Sequence, residues 1–229
     1  MRQDSLKCDN SLLDMKIERF TVNTFGENTY IAYDDDSREC AVIDPGCYSD
    51  NERNAIVSRI NQLNLRPKYI INTHCHIDHI LGVNFLKKTY GIPFAANRAD
   101  QYLLDKAEAY AMGWDWKVDG KTEIDIDITE GSEFKLGDAT LRCAATPGHT
   151  PGGMVIYSED DKFMCTGDTL FRGTIGRTDL PGGNYDTLIA SIRNRVMRFD
   201  SQYEVLPGHG ESSSIAEEAA QNPMIGIED

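Results

Sequence analysis

All five histidines of this 229-residue chain lie in short segments rich in turn-forming residues. The first segment, residues 73–79, reads THCHIDH, and two others place His149 in TPGHTPGG and His209 in LPGHG. A further segment, TGDT, offers the carboxylate of Asp168 in the same setting, directly after a run of β-forming residues. Neutral imidazole and carboxylate groups together suit zinc, iron or manganese. The sequence therefore predicts a metal site where these segments meet.

The spacing of the first segment indicates which side chains can share an ion. Strand alternation turns His74 and His76 to the same side, so both rings can reach one metal. Asp78 and His79 fall at a predicted helix start, where the turning backbone directs them toward a second ion. The later segments complete a set of seven ligands, with one residue for the first ion, one for the second and one between them: His149, His209 and Asp168, respectively.

Each of these residues has an ordinary structural interpretation when it is taken alone. His149 or His209 beside glycine would more often be a turn or core histidine, and Asp168 or Asp78 could cap a turn or a helix. Three histidines and an aspartate within the six residues 74–79 suit neither a solvated surface nor an apolar core. Their joint occurrence is what favours a metal site.

The six cysteines are scattered and form no C-x-x-C pair, so we expect reduced thiols that are mostly buried. Cys75 lies between two of the histidines, but strand alternation turns its side chain away from theirs. We do not expect Cys75 to be a ligand.

The segments that must position these residues alternate between strand and helix patterns. Strands are predicted over residues 16–23, 29–33, 39–44, 68–72, 92–96, 124–128, 133–136, 139–145, 155–157, 162–165 and 203–206. Helices are predicted from residue 50 or 51 to a stop at Pro67, and over about 78–90, 98–112, 186–199 and 213–221. The first three strands read as successive antiparallel strands. This order favours an α/β (α+β) fold of two mixed sheets packed face to face with helices outside, each half of the chain supplying one sheet.

Composition excludes several classes of function. The net charge of −14 argues against nucleic acid and anionic membranes as partners, because both attract clustered Lys and Arg. No apolar run has the length of a secretion signal or a membrane helix, so we expect a cytoplasmic protein. Residues 1–14 show no period and are expected to be an N-terminal extension, with residues 15–229 forming one domain.

In combination, the motifs resemble the metallo-β-lactamase superfamily. THCHIDH matches its T-H-x-H-x-D-H motif, and TPGHTPGG, TGDTLF and LPGHG match its later ligand segments in order and spacing, so the resemblance covers about residues 16–212. The stretch FRGTIGRTDLPGG, residues 171–183, further resembles single-domain hydrolases related to glyoxalase II, the hydroxyacylglutathione hydrolases. This resemblance implies a four-layer αββα sandwich.

The resemblance also implies a ligand set and a reaction. The first metal would be held by His74, His76 and His149, the second by Asp78, His79 and His209, with Asp168 as the bridge. The implied cofactors are two divalent ions, zinc ahead of iron or manganese. The implied reaction is hydrolysis of S-D-lactoylglutathione or a related hydroxyacyl thioester by a hydroxide held between the metals. The catalytic carboxylates would be Asp78, which orients that hydroxide, and Asp168.

Several residues near these motifs have two interpretations. Arg177 and Asp179 are predicted to form an ion pair or turn network that fixes the loop after Asp168, and a solvated loop is the alternative. Asn28 and Tyr30 could contact substrate, although a core role is favoured. Three residues could line a substrate pocket, form a lid or pack in the core: Met112, Trp114 and Trp116.

Other functions remain open at this level. Only 20 residues follow His209, too few for the glutathione-binding helical domain of two-domain glyoxalase II, so another thioester is an alternative substrate. The main competitor is a persulfide dioxygenase of the same superfamily, with one iron on His74, His149 and Asp168. Nucleases, β-lactamases and flavodiiron proteins fit less well, and a non-catalytic metal-binding module is the alternative outside catalysis. The oligomeric state is not predicted.

Overall fold

The computed structural model describes residues 15–226, so the predicted extension over residues 1–14 lies outside the described residues. Its first sheet has six strands in chain order: β1 (Met15–Val22), β2 (Glu27–Asp34), β3 (Glu39–Ile43), β4 (Arg66–Ile71), β5 (Phe94–Ala96) and β6 (Ile126–Asp127). The predicted antiparallel order of β1, β2 and β3 is confirmed, and β3 to β6 pair in parallel.

The second half of the chain builds the second six-stranded sheet. Its members are β7 (Glu133–Leu136), β8 (Ala139–Ala145), β9 (Met154–Ser158), β10 (Phe163–Gly167), β13 (Glu204–Pro207) and β14 (Ser213–Ser214). Their order across the sheet is β14-β13-β10-β9-β8-β7, with β10 and β13 parallel. A two-stranded hairpin that the sequence did not predict follows β10: β11 (Leu170–Phe171) and β12 (Thr174–Ile175).

Apolar side chains of both sheets meet in one buried cluster, including Ile43 and Ile71 from the first sheet and Leu141 and Ile156 from the second. The sheets therefore pack face to face. The helices that cover the outer faces are α1 (Asp50–Gln62), α2 (Ile77–Ile80), α3 (Val83–Tyr90), α4 (Gln101–Asp105), α5 (Ala107–Met112), α6 (Tyr185–Asn194) and α7 (Ile215–Gln221). The predicted αββα layering, with one sheet from each half of the chain, is confirmed.

The predicted helix over 78–90 is divided into α2 and α3 by a tertiary contact. The Gly82 N–H donates to the Pro45 carbonyl at 2.7 Å instead of continuing the helix, while the Asp78 carbonyl accepts from the Asn23 amide at 3.0 Å. A side chain at Gly82 would collide with Cys47. The break therefore places Asp78 on a separate short helix next to the strand ends.

Other boundaries also differ from the predictions. The predicted helix over 98–112 is a 3-10 turn followed by α4 and α5, which separate at Lys106, where the N–H donates to Leu103 in a tighter turn. Ser49, rather than residue 50 or 51, caps α1 through a capping box with Glu52. The predicted serine cap of the last helix is Ser214.

Asn28 and Tyr30 have the favoured structural role. The Tyr30 hydroxyl donates to the Pro207 carbonyl at 2.8 Å, and the Asn28 amide donates to the carbonyls of Pro207 and Gly210. Both side chains are buried. Together they fasten β2 to the segment that carries His209.

The cysteines agree with the prediction as far as they are described. Five of them, Cys40, Cys47, Cys75, Cys143 and Cys165, are free and buried. Within residues 15–226, no helix combines the length and apolarity needed to cross a membrane.

Replacing Tyr30 by phenylalanine should lower the free energy of unfolding by about 1 kcal/mol, because one buried hydrogen bond is lost. The matched variant is Tyr90→Phe, which removes a buried hydroxyl that has no hydrogen-bond partner and should cost nothing or stabilise the protein slightly. Urea unfolding of both variants measures the difference. Equal losses in the two would contradict this account of the β2 contact.

Candidate metal centre

The predicted ligands all lie just beyond the carboxyl ends of strands. Residues 74–79 follow β4, and His149, Asp168 and His209 follow β8, β10 and β13 in the second sheet. Because the sheets pack face to face, these strand ends converge at one edge of the sandwich. The fold thus brings together residues more than a hundred positions apart.

The first group, here called the three-histidine cluster, consists of His74, His76 and His149, whose ligand atoms lie within 4.8 Å of one another. His76 Nδ1 and His149 Nε2 are 2.8 Å apart. His149 Nδ1 lies 2.7 Å from the Arg177 carbonyl, which fixes that nitrogen as the donor and leaves Nε2 for the cluster. His74 Nε2 is buried without a hydrogen-bond partner, and a bound ion would satisfy it.

The second group, the carboxylate cluster, consists of Asp78, His79 and His209, again with ligand atoms within 4.8 Å. His209 Nε2 lies 3.2 Å from Asp78 Oδ2, and His209 Nδ1 lies 3.2 Å from the Phe25 carbonyl. His79 Nδ1 is 3.1 Å from Asp44 Oδ2, whereas His79 Nε2 is buried and has no hydrogen-bond partner. Each histidine of this cluster thus presents its Nε2 to the same space.

Asp168 lies between the two clusters, in the position predicted for a bridge. Its Oδ2 is 3.4 Å from His149 Nε2, and its Oδ1 is 3.4 Å from His79 Nε2 and 3.7 Å from His209 Nε2. Oδ1 is buried without a hydrogen-bond partner. One carboxylate therefore faces nitrogen atoms of both clusters, which fits two neighbouring cations.

The two clusters differ in how readily they hold protons. Burial lowers the pKa of His74 well below its usual value, and burial together with His149 lowers the pKa of His76 to about 4. Burial opposes the charged form of His79 too, but Asp78 and Asp168 raise its pKa well above the usual value. His74 and His76 are accordingly neutral at pH 7 and ready to bind a metal, while a metal must displace a proton from His79.

The carboxylates of the centre remain ionised. Burial by itself would raise the pKa of Asp168, but the charge of His79 outweighs it and lowers that pKa well below its usual value. The pKa of Asp78 is lowered for the same reason, again against burial. The pKa of His209 is raised because its hydrogen bond with Asp78 overcomes burial. Anionic ligands surrounded by imidazole are the donor set expected of a divalent metal.

Asp44 is a part of the centre that the sequence did not indicate. The strand-end DPG sequence reads as a turn, yet Asp44 accepts from the Thr73 N–H at 2.7 Å and the Thr73 hydroxyl at 2.6 Å as well as facing His79. Asp44, His74 and His79 form a third group with ligand atoms within 4.8 Å of one another. Because both Asp44 oxygens already face donors, we expect Asp44 to orient His79 rather than bind metal. Glu27 lies behind it, fully buried, with Oε1 3.8 Å from His79 Nδ1. The signal in the sequence was its position, because Asp44 directly follows β3 at the same edge of the sandwich as the ligands.

Asp100 was also missed. This buried carboxylate accepts from the Cys75 N–H at 3.1 Å, the Thr150 hydroxyl at 2.8 Å and the Gly152 N–H at 2.7 Å. It therefore connects the segment that carries the first histidines to the one that carries His149. Cys75 itself is buried, and it is in none of the groups of described residues that could hold a metal ion.

Glycine at position 208 is required by close packing. A side chain there would collide with Asp168 Oδ1 and with the ring of His79. The absence of a Cβ lets the backbone before His209 approach the centre closely. Gly208 is thus needed for close packing at the centre and not only for forming a turn.

A cleft of about 430 Å³ opens above the metal centre. Trp114 lines it and is 58% exposed, Trp116 is buried, and Met112 is 81% exposed and is not among the lining residues. The structure thus gives three different surroundings to the three residues whose role the sequence left open.

Arg177 and Asp179 form the predicted ion pair at 2.7 and 2.8 Å, although both side chains are largely exposed. The Arg177 backbone, rather than its side chain, contacts His149.

The family model of the metallo-beta-lactamase superfamily matches residues 22–209. The chain belongs to this superfamily. Among its relatives, hydroxyacylglutathione hydrolase GloC of Haemophilus influenzae is 33% identical over 218 residues, covering 92% of this chain and 98% of the relative. Probable metallo-hydrolase YqgX of Bacillus subtilis is 32% identical over 212 residues, covering 92% and 98%.

Solved structures of the superfamily agree with the fold. The crystal structure of the BLEG-1 B3 metallo-beta-lactamase matches with a TM-score of 0.82 and 30% identity, covering 92% of this chain and 99% of that one. TTHA1623 in a di-iron-bound form matches with a TM-score of 0.79 and 28% identity, covering 90% and 98%. Superfamily membership, these relatives and the His/Asp cluster make the chain a metal-dependent hydrolase with a divalent-metal centre.

Replacing Asp100 by asparagine should lower the free energy of unfolding by about 2 kcal/mol, because the amide NH₂ must face at least one of three buried donors. The control is Asp105→Asn, an exposed aspartate nearby whose replacement should change stability by less than about 0.5 kcal/mol. Denaturant unfolding of the metal-free proteins measures both. Equal stability of the two variants would refute the connecting role of Asp100.

Metal binding to the carboxylate cluster should weaken as the pH falls through neutrality, because His79 and His209 have raised pKa values and must lose protons to bind. In the three-histidine cluster, protons compete with a metal for His76 only near the His76 pKa of about 4. Dialysis from about pH 8 to about pH 5.5 should therefore remove one metal equivalent before the other. Mass spectrometry of metal content measures this, and simultaneous loss of both equivalents would contradict it.

Proposed function

We propose that the chain hydrolyses small-molecule thioesters, S-D-lactoylglutathione or a related hydroxyacyl thioester, with two divalent ions, zinc ahead of iron or manganese. The three-histidine cluster would hold one ion and the carboxylate cluster the other, and Asp168 would be shared between the two clusters. The observation that carries the proposal is the position of Asp168, whose two oxygens face nitrogen atoms of different clusters. The activity named for the GloC relative supports the choice of thioester.

Bound divalent ions would supply the polarisation of a carbonyl and the activation of water at neutral pH. The chain contributes the arrangement around them. Asp78 lines the floor of the cleft and remains a carboxylate, so it can accept a hydrogen bond from the attacking water and orient it. His149 is fixed by the Arg177 carbonyl and His209 by the Phe25 carbonyl, so neither ring needs to reorient during the reaction.

Water is the nucleophile that the site favours. Cys75 is the thiol closest in sequence to the ligands, but burial raises its pKa well above the usual value and keeps it protonated. Covalent catalysis by this thiol is therefore disfavoured. The five free, buried cysteines and the net charge of −14 also fit a cytoplasmic enzyme that acts on a small molecule rather than on nucleic acid or a membrane.

The completeness of the carboxylate cluster favours hydrolysis over the dioxygenase alternative. A single iron on His74, His149 and Asp168 would leave Asp78, His79 and His209 without a shared task. In the structure these three residues instead converge as closely as the first group.

Replacing Asp78 by alanine should lower kcat for S-D-lactoylglutathione at least about 100-fold, because the variant loses the carboxylate that orients water and helps to hold the second ion. The loss of thioester absorbance measures turnover, and circular dichroism checks that the variant is folded. Asp200→Asn, an exposed aspartate paired with Lys162, is the control and should leave turnover unchanged.

Three results would overturn the proposal in different directions. Oxygen uptake with glutathione persulfide, without thioester turnover, would indicate the dioxygenase. Hydrolysis of a cephalosporin alone would indicate a β-lactamase activity like that named for BLEG-1. Metal binding without any of these activities would indicate a non-catalytic metal-binding module.

A further inference from the structure

The cleft above the metal centre has an apolar interior. Apart from Arg177 and the residues of the two clusters and their bridge, its described lining consists of Phe25, Ile77, Leu103, Tyr110, Trp114, Leu180 and Pro181. Binding sites combine such apolar walls with a few polar groups that fix orientation. Here the polar groups are concentrated on the floor, at the metal ligands.

Three of the residues that line the cleft are aromatic. Phe25, Tyr110 and Trp114, here called the aromatic wall, line it together, and the rings of Phe25 and Trp114 meet edge to face with centroids 4.5 Å apart. The buried ring of Trp116 supports Phe25 from a centroid distance of 4.9 Å. The Phe25 carbonyl accepts from His209, so the wall is attached directly to the carboxylate cluster.

Trp114 is held in an exposed position by this packing. Its side chain is 58% exposed although it lines a cleft that ends at the metal centre. Covering such a ring with an apolar group would remove a large hydrophobic surface from water. The wall is thus suited to an uncharged, apolar part of a substrate.

Charge argues against a carboxylate-bearing group on the aromatic wall. Among the described lining residues, Arg177 is the one cationic side chain outside the metal clusters, and its Nε and Nη2 donate to the two carboxylate oxygens of Asp179. The two carboxylates of glutathione find no free cation there. The thiol portion of a biological thioester is usually polar or anionic, so it suits the apolar walls less well than an uncharged acyl group does.

We propose that the aromatic wall binds the acyl group of the substrate and that the enzyme therefore prefers thioesters with an apolar acyl chain of medium length or an aromatic acyl group. The inference rests on the proposed thioester hydrolysis, and it replaces the small hydroxyacyl group named there by a larger, apolar acyl group. Glutathione is then one acceptable thiol rather than the group that is recognised. Trp114 determines specificity for the acyl group.

The test is a series of acyl thioesters of N-acetylcysteamine, from acetyl through butyryl and hexanoyl to octanoyl, on the metal-loaded protein. Because each buried methylene contributes about 0.8 kcal/mol, kcat/KM should rise by up to about fourfold per methylene until the wall is covered. In Trp114→Ala the octanoyl-to-acetyl ratio of kcat/KM should fall at least tenfold. Met112→Ala removes an even more exposed apolar side chain that does not line the cleft, and should keep the wild-type ratio.

Acyl selectivity that is flat, or that Trp114→Ala and Met112→Ala change equally, would overturn the inference while leaving thioester hydrolysis intact. A second series keeps the acyl group constant and compares N-acetylcysteamine with glutathione and coenzyme A. A preference above tenfold for glutathione that Arg177→Ala abolishes would show that the thiol is recognised instead, and would also overturn it.

A different outcome, no turnover of any thioester, would sink the proposed function and leave the wall to be tested by binding. Calorimetry with butyrate, hexanoate and octanoate on the metal-loaded protein then measures affinity directly. An affinity that rises with chain length in the wild type and not in Trp114→Ala would support the apolar site. Affinity independent of chain length would refute it.

Discussion

Fixing one ring nitrogen of a histidine is the interaction on which this centre depends. An imidazole has two nitrogens, and when a protein acceptor takes one as a hydrogen-bond donor, the other is left as an acceptor that can bind a metal. Three rings are held this way, by the acceptors Asp44, the Arg177 carbonyl and the Phe25 carbonyl, for His79, His149 and His209, respectively. Two of these three acceptors are backbone carbonyls, so the histidine rings are oriented correctly only when the loops that carry those carbonyls are folded.

Buried carboxylates secure those loops. Asp44 joins the end of β3 to Thr73, and Asp100 joins the segment after β4 to the one after β8. Each is surrounded by donors, because a buried carboxylate without partners would be costly. Stability and metal geometry consequently depend on the same few side chains, and a change that loosens one of these connections affects both.

The sequence predicts the clustering of the candidate ligands and the layers well, because both have local signals. Histidine clusters and strand–turn segments are recognisable by type and spacing, and alternating residues identify most strands. The split at Gly82 depends on the carbonyl of Pro45, and no local pattern records that contact. The role of Asp100 depends likewise on donors 25 and 50 residues away. The hairpin of β11 and β12 has strands of two residues, too short for any period.

The separation of the two tryptophans has a practical consequence. They are the whole tryptophan content of the chain, and their ring centroids are 6.3 Å apart, one ring buried and the other facing the cleft. Indole fluorescence depends on the polarity around the ring, so a molecule that enters the cleft changes the fluorescence of Trp114. The protein thus carries an intrinsic optical reporter at the entrance of its own metal centre, and ligand entry can be followed without any label.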